Sequence, residues 1–195
     1  MLLEVLEKQK KLDSWLGKGK RKRNYFDICM SAVAECVELN EEFENEFRHK
    51  TWKPKEYDES KMREELVDVL FFLAQLINKS TEKMDRTEFV KELEGYLTYG
   101  INDTINLQVR KPSVPLSKLI NYLSQCFSVN TTLTNSSVAD KFVRGNCITL
   151  MLSYGKLCGE LQVDYETLIN LYNAKLEKNL NREDFKKAVA GGLCE

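Results

Sequence analysis

The sequence is poor in the residues that many folds and catalytic sites require. Three prolines and nine glycines in 195 residues are too few for the many turns of an all-β sandwich or barrel. The single histidine, His49, excludes zinc sites built from several histidines, and no neighbouring pattern indicates a Ser-His-Asp or Cys-His catalytic set. The chain also lacks the glycine-rich loop of P-loop NTPases and the Gly-x-Gly-x-x-Gly pattern of dinucleotide-binding folds.

Charge and hydropathy limit the partners and the compartment. The net charge of −1 argues against stable nucleic-acid binding. No apolar run approaches about 18 residues, and the amino-terminal segment lacks the apolar centre of a signal peptide, so we expect a cytoplasmic protein without a membrane partner. The basic run Lys18–Arg23 gives weak support for nuclear localisation or a bound partner, because such runs are usually solvated loops. The six cysteines form no Cys-x-x-Cys pair, and we expect them to be reduced and mostly buried.

Apolar residues recur at helical spacing along almost the whole chain. The predicted helices cover 2–16, 24–49, 59–79, 86–98, 116–129, 137–158 and 164–190, the last ended by Gly191 and Gly192. The stretch 148–154 is also compatible with a strand, and the weakly patterned stretch 102–115 is predicted to be a long loop. We therefore expect a single all-α domain over residues 1–195, with a mobile helical insertion around 81–163.

Carboxylates interrupt the two most apolar helices. Ten of the twelve residues in 66–77 are apolar, which predicts a buried helix. Asp68 nevertheless lies inside this run, and Glu65 directly precedes it. Glu35 and Glu38 interrupt the preceding helix at i, i+3, a spacing that places both on one face. A buried carboxylate is costly unless it is paired or bound to a metal, so four such side chains on two packed helices predict a Mg²⁺ or Mn²⁺ site. The glutamates that follow also allow Glu35 and Glu38 to belong to a solvated face.

The spacing of these acids resembles that of a known superfamily. Glu35-x-x-Glu38, followed after 26 intervening residues by Glu65-x-x-Asp68, resembles the signature of the all-α NTP pyrophosphatases. These include MazG-like enzymes, the phosphoribosyl-ATP pyrophosphatases and the dimeric dUTPases. The local sequences around both pairs look like the two metal motifs of the dimeric dUTPases.

Three further elements resemble the dimeric dUTPase/dCTPase group. They are Gln9-x-x-Leu12-Asp13, which looks like its base-binding element, Trp52-Lys53, and Tyr172-x-x-Lys175-x-x-x-Asn179-x-x-Arg182, which looks like its carboxyl-terminal motif. Independently of the family, Lys175, Asn179 and Arg182 are expected on one stripe of the last helix, where two cations and an amide suit a triphosphate. A solvated basic face is the alternative for this stripe taken alone. The chain departs from the family after Arg182, where it has Glu183-Asp184-Phe185-Lys186 in place of a Gln followed by Gly-Tyr.

The resemblance implies a helical bundle of the all-α NTP pyrophosphatase type that forms a homodimer. It implies Mg²⁺-dependent hydrolysis of a deoxynucleoside triphosphate, dUTP first, to the monophosphate and pyrophosphate, which limits uracil incorporation into DNA. Two or three Mg²⁺ ions, or Mn²⁺ as a substitute, are expected on Glu35, Glu38, Glu65 and Asp68, which would also be the catalytic residues.

The same resemblance implies roles for the remaining residues. Lys175 and Arg182 are expected to neutralise phosphate charge, and Asn179 to contact the sugar or a phosphate. Recognition of the base or sugar is expected from Gln9, Asp13, Trp52 and Tyr172.

Alternatives remain at this stage. Asp13 stands where many family members have Asn, and an ionised carboxylate only accepts hydrogen bonds whereas an amide also donates them, so dCTP is an alternative substrate. A pyrophosphatase for damaged nucleotides and a non-enzymatic helical interaction module are further alternatives. For phage-encoded members a regulatory protein partner is an option that nothing in this sequence shows.

Overall fold

The computed structural model of the protein describes residues 1–16, 23–44, 46–48, 50, 52–132, 136–183 and 186–187, without the side chains of residues 16, 129–132 and 136. These ranges contain seven α-helices and no strand. The helices are α1 (Leu2–Leu16), α2 (Tyr25–Glu41), α3 (Glu59–Ser80), α4 (Thr87–Thr104), α5 (Ser113–Thr132), α6 (Ser136–Glu160) and α7 (Tyr165–Asn181). The predicted all-α fold is confirmed, and the stretch 148–154 is helical within α6.

Side-chain caps determine where the helices of the site begin. At α2, the Asn24 side chain accepts from the Asp27 backbone amide at 2.8 Å, and the Asp27 carboxylate accepts from the Asn24 amide at 2.9 Å. Asp58 caps α3 and Asp164 caps α7 in the same sense, each accepting from amides of the first turn. These acceptors satisfy amides that have no carbonyl partner within the helix.

Four helices pack in a ring that encloses the main core. α2 contacts α3, α3 contacts α6, α6 contacts α5, and α5 closes the ring against α2. The buried hydroxyl of Tyr154 on α6 donates to the backbone carbonyl of Leu66 on α3 at 2.8 Å, which links the two helices through the core. α1 and α7 pack on the outer side of α3, so α3 contacts helices on several sides. This central position explains why its sequence is apolar almost all round.

α4 lies outside the ring and packs extensively on α6. The two backbones approach so closely that a Cβ at Gly155 would lie 2.3 Å from the Leu97 carbonyl oxygen, and a Cβ at Gly100 would lie 2.6 Å from the Leu152 carbonyl oxygen.

The stretch 81–163, predicted as an insertion, contains α4, α5 and α6, and two of these helices, α5 and α6, belong to the ring. A single domain with mobility in this stretch stays a prediction.

The second helix is shorter than predicted. The sequence predicts it over 24–49, whereas α2 ends at Glu41. Glutamates in a last turn interact unfavourably with the negative end of the helix dipole. After the helix ends, the chain turns so that Arg48, only 5% exposed, donates to the Glu41 carboxylate and to the Lys53 carbonyl. The single histidine, at position 49, lies outside the described residues.

Two other predicted boundaries are wrong. The predicted loop 102–115 is only 105–112, because α4 continues to Thr104 and α5 begins at Ser113. α7 does not run unbroken to residue 190: Arg182 follows it with an extended backbone at φ −67° and ψ 137°. Residues 17–22, which contain most of the basic run, and residues 188–195, which contain the predicted Gly-Gly end, lie outside the described part of the chain.

The cysteines and the hydropathy of the helices agree with the sequence analysis. Five cysteines are free and buried, as predicted, and Cys194 lies outside the described ranges. Within those ranges no helix combines the length and the hydropathy needed to span a bilayer.

Candidate active site

The four predicted acids lie on the facing sides of α2 and α3. On α2, one face with Ala32, Cys36 and Leu39 is buried in the ring, and Glu35 and Glu38 lie beside that face, one turn apart. On α3, Glu65 and Asp68 are also one turn apart and flank fully buried apolar residues. The apolar neighbours in both helices therefore determine the direction of the acids, because burying those neighbours turns the carboxylates into the space between the helices.

Three of the four carboxylates converge. Glu35, Glu38 and Glu65 each offer an oxygen such that the three atoms lie within 4.8 Å of one another. Glu35 and Glu65 are partly buried and Glu38 is exposed, so the cluster is open to solvent on one side. Oxygen donors in this number suit Mg²⁺ or Mn²⁺, which keep water or phosphate oxygens at their other positions. The chemistry of the donor set therefore fits the metal that the sequence predicts.

The acids raise one another's pKa values. Burial, followed by the charges of Asp68, Glu38 and Glu65, raises the pKa of the Glu35 carboxyl to about 7. Burial and the Asp68 charge raise the pKa of Glu65, and burial raises that of Asp68 against the opposing effect of Lys175. Each shift has the sign expected when carboxylates are buried close together, and the nearby Lys175 offsets it only in part.

Asp68 differs from the other three acids because it already has a cation. The Lys175 Nζ on α7 lies 2.8 Å from Asp68 Oδ2 and 3.3 Å from Glu64 Oε2. Glu64 also accepts from Lys178 at 2.7 Å. A cleft of about 380 Å³ opens beside these groups between α3 and α7, and both lysines line it. The structure thus brings Lys175 of the carboxyl-terminal motif to Asp68, and its expected role toward the phosphates stays a prediction.

A hydrogen-bonded chain joins α7 to α1 next to this site. The Tyr172 hydroxyl donates to Gln9 Oε1 at 3.3 Å and to the Val5 carbonyl at 3.2 Å, and Gln9 Nε2 donates to Asp13 Oδ1 at 2.8 Å. Tyr172 is 0% exposed and Gln9 is 1% exposed, while Asp13 is partly exposed at the end of the chain of bonds. Burial raises the pKa of Asp13 to about 6, against the opposing hydrogen bond from Gln9. The Tyr172 ring packs on Phe71 of α3 at 4.7 Å, which connects all three helices.

A family model described as dUTPase matches residues 1–186 of the chain. The chain belongs to this all-α dUTPase family. No curated protein and no solved structure matches it. The family membership supports a nucleotide pyrophosphatase of the dUTPase/dCTPase kind, and the seven helices agree with it.

The other residues of the family motifs lie in the connection after α2 and near the end of α7. Trp52, in the connection after α2, is 76% exposed. Asn179 is partly buried on α7, and Arg182 is the first residue after the helix, with φ −67° and ψ 137°. The sequence predicts the helix to residue 190, whereas α7 ends at Asn181. The single stripe of Lys175, Asn179 and Arg182 stays a prediction. The roles expected for these side chains stay predictions.

The sequence analysis did not single out two groups that lie one helical turn to either side of Asp68 on α3. The first is Glu64, whose carboxylate contacts two lysines and whose signal was its position one turn before Asp68. The second lies one turn beyond Asp68, where the Arg23 guanidinium covers the Phe72 ring at 5.4 Å and donates to Gln75 Oε1 at 3.2 Å. The i, i+4 spacing from Asp68 to Phe72 would have identified the ring, but the contact of Arg23, which precedes α2, with α3 is visible only in three dimensions.

Proposed function

We propose that this chain is a Mg²⁺-dependent pyrophosphohydrolase that converts dUTP to dUMP and pyrophosphate. The convergence of Glu35, Glu38 and Glu65 carries the proposal, because three carboxylates within 4.8 Å repel one another and gain most from a shared divalent cation. Membership of the dUTPase family supports the choice of substrate.

The side chains present suit this chemistry. Glu35, Glu38, Glu65 and Asp68 would hold two or three Mg²⁺ ions, with Mn²⁺ as a substitute. When bound, these ions polarise the phosphates and lower the pKa of a coordinated water. One carboxylate of the Glu35/Glu38 pair orients the attacking water and accepts its proton, and attack is in line without a covalent intermediate. Lys175 and Arg182 neutralise phosphate charge and Asn179 contacts the sugar or a phosphate, so catalysis is mostly positioning and electrostatics.

Recognition of the base is assigned mainly to Asp13. Gln9 and Tyr172 are buried beneath it, and their hydrogen bonds orient its carboxylate. Trp52 and the ring of Phe72 are the aromatic surfaces proposed to contact the base. Asp13 also favours dCTP as the second candidate substrate, since an ionised carboxylate accepts from the amino group of cytosine as well as from the N3–H of uracil.

We also propose that the protein is a homodimer. Phe26, Met30 and Val37 form an apolar stripe on α2 and are 42%, 44% and 48% exposed. The stripe lies on a different side of α2 from Glu35 and Glu38, so a second copy can cover it while the acids stay accessible.

The decisive experiment measures pyrophosphate release from dUTP, dCTP, dTTP and UTP in Mg²⁺, with and without a chelator. We expect turnover of dUTP well above dTTP, and no turnover with chelator. Glu65→Gln should reduce kcat/KM by about a hundredfold or more, because one charged group that stabilises the transition state is lost. Glu82→Gln, an exposed glutamate beyond the end of α3, is the matched control and should retain full activity.

Each contrary result has a definite meaning. Full activity in Glu65→Gln would contradict the site assignment. Preference for dCTP over dUTP would keep the reaction and replace the proposed substrate. A folded protein that hydrolyses none of the four nucleotides in Mg²⁺ would contradict the proposed function itself.

A further inference from the structure

Among the contacts of the described residues, Asp68 is the one predicted metal ligand that pairs with a cation of the protein. The three oxygens that lie within 4.8 Å of one another belong to Glu35, Glu38 and Glu65. Asp68 instead accepts from Lys175 at 2.8 Å, and the Lys175 side chain is only 15% exposed. The metal-free arrangement is therefore three converging acids plus one internal ion pair.

Lys175 has a second carboxylate within reach. Glu64 Oε2 lies 3.3 Å from Lys175 Nζ, one helical turn before Asp68, and the Lys178 ammonium holds Glu64 from the outer side at 2.7 Å. Both partners of Lys175 are carboxylates, so these contacts suit its side chain as an ammonium.

An ammonium group and a divalent cation compete for the same carboxylate. A metal ion that adds Asp68 to its ligands replaces the Lys175 hydrogen bond and repels the ammonium. Glu64 offers the displaced ammonium a partner after a short movement, since it already contacts Lys175. Lys175 would then remain beside the acids and the cleft, where a phosphate group needs a positive charge.

We propose that Lys175 is an internal counter-ion that occupies the Asp68 carboxylate until the cation binds, and that Glu64 is the positioning residue that receives the displaced Lys175 ammonium. This inference rests on the proposed metal site and adds to it an order of events: Lys175 would leave Asp68 when that carboxylate takes up a divalent cation, and Lys175 would then be available to bind the substrate phosphates.

The test measures Mn²⁺ affinity of the full chain without nucleotide, by the loss of the free-ion signal in electron paramagnetic resonance. Lys175→Met removes the competitor, so Mn²⁺ should bind about threefold more tightly or better, as expected for groups in direct contact. Lys175→Gln, which keeps a polar side chain, should shift affinity in the same direction. Far-UV circular dichroism and thermal unfolding check that each variant is folded.

Lys178→Met is the matched control. It removes the same charge from the same helix, one turn away, and its ammonium pairs with Glu64 rather than with Asp68 among the described contacts. Its effect on Mn²⁺ affinity should therefore be clearly smaller than that of Lys175→Met.

Glu64→Gln separates a positioning role from a general change of charge. Without Glu64, Lys175 has only Asp68 as a partner and competes more strongly, so Mn²⁺ binding should weaken about threefold or more. In a Lys175→Met background the same substitution should have almost no effect. A general electrostatic effect of Glu64 would instead weaken binding equally in both backgrounds.

The contrary outcomes distinguish this inference from the proposed function. If the wild-type chain binds Mn²⁺ but Lys175→Met binds it no more tightly than Lys178→Met, Lys175 does not compete for Asp68 and the inference is wrong. Equal effects of Glu64→Gln in the two backgrounds overturn the role of Glu64. A wild-type chain that binds no Mn²⁺ at all overturns the metal site, and with it both proposals.

Discussion

Glu35 shows how the free energy of the metal-free fold depends on protonation of the site. Burial and three neighbouring acids raise its pKa from 4.5 to about 7. The folded chain therefore binds this proton more tightly than the unfolded chain does. The resulting stability is fully present below about pH 4.5 and is lost as the pH rises through about 7.

The first prediction follows from this loss of folding stability as the pH rises. In the presence of chelator, raising the pH from about 5 to about 8 should lower the melting temperature by a few degrees, and Glu35→Gln should reduce this loss because the neutral amide does not titrate. Mg²⁺ should raise the melting temperature more at the higher pH, where the acids are charged. Differential scanning calorimetry on both variants measures this. An identical pH dependence in wild type and Glu35→Gln would show that Glu35 is not the titrating group.

Asp13 carries the second prediction, on the choice of base. Its pKa of about 6 leaves it mostly ionised at neutral pH, so it acts there as an acceptor. Asp13→Asn supplies both a donor and an acceptor, which match the uracil edge, and should raise the ratio of kcat/KM for dUTP over dCTP about tenfold. Asp103→Asn, on α4 and paired with Lys156, is a control in which the ratio should stay constant. An unchanged ratio in Asp13→Asn would remove Asp13 from base recognition.

At the scale of the elements, glycines decide how closely α4 approaches α6. A Cβ at Gly155 would meet the backbone of Leu97 at 2.3 Å, whereas a Cβ at Gly145, on the same helix, would have nothing within 4 Å. A backbone group cannot rotate away as a flexible side chain can, so the first substitution must separate the helices.

The third prediction compares substitutions at Gly155 and Gly145, with Gly145 as the control. Gly155→Ala should destabilise the protein by about 2 kcal/mol, a typical cost of overpacking. Gly145→Ala should stabilise it by about 0.5–1 kcal/mol, because alanine favours the helix. Urea unfolding followed by circular dichroism measures both. Equal effects of the two substitutions would contradict the close approach of α4 and α6.

The ends of the elements were harder to predict than their centres. Asn24 and Asp164 begin helices through bonds to amides three residues ahead, so α2 and α7 start where the sequence places them. The end of α2 depends on Arg48, whose burial and bond to Glu41 arise from a turn of the chain after the helix. Helical periodicity alone contains no information about such a contact.

At the scale of the whole molecule, the apolar stripe of Phe26, Met30 and Val37 remains exposed in the single chain. A stripe of this kind on the helix that also carries two site acids supports the proposed homodimer. It also implies that assembly and catalysis use different faces of one helix.

The fourth prediction concerns this assembly. Met30→Glu should convert the dimer to a monomer at micromolar concentration, because burying an unpaired carboxylate at an interface costs several kcal/mol. Val109→Glu makes the same change at a residue 70% exposed in the connection between α4 and α5, and should leave the mass unchanged. Light scattering coupled to size-exclusion chromatography gives the mass. A monomeric wild-type chain would contradict the dimer.

The sequence by itself determined the helical class and the starts of the capped helices α2, α3 and α7, and it predicted the four acids, because each of these depends on spacing along the chain. The structure decided which charges meet. It brought Glu35, Glu38 and Glu65 together, paired Asp68 with a lysine 107 residues away and buried Gln9 beneath Asp13. Such pairings depend on how α1, α3 and α7 pack. Packing is a property of side-chain shapes in three dimensions that local periodicity does not encode.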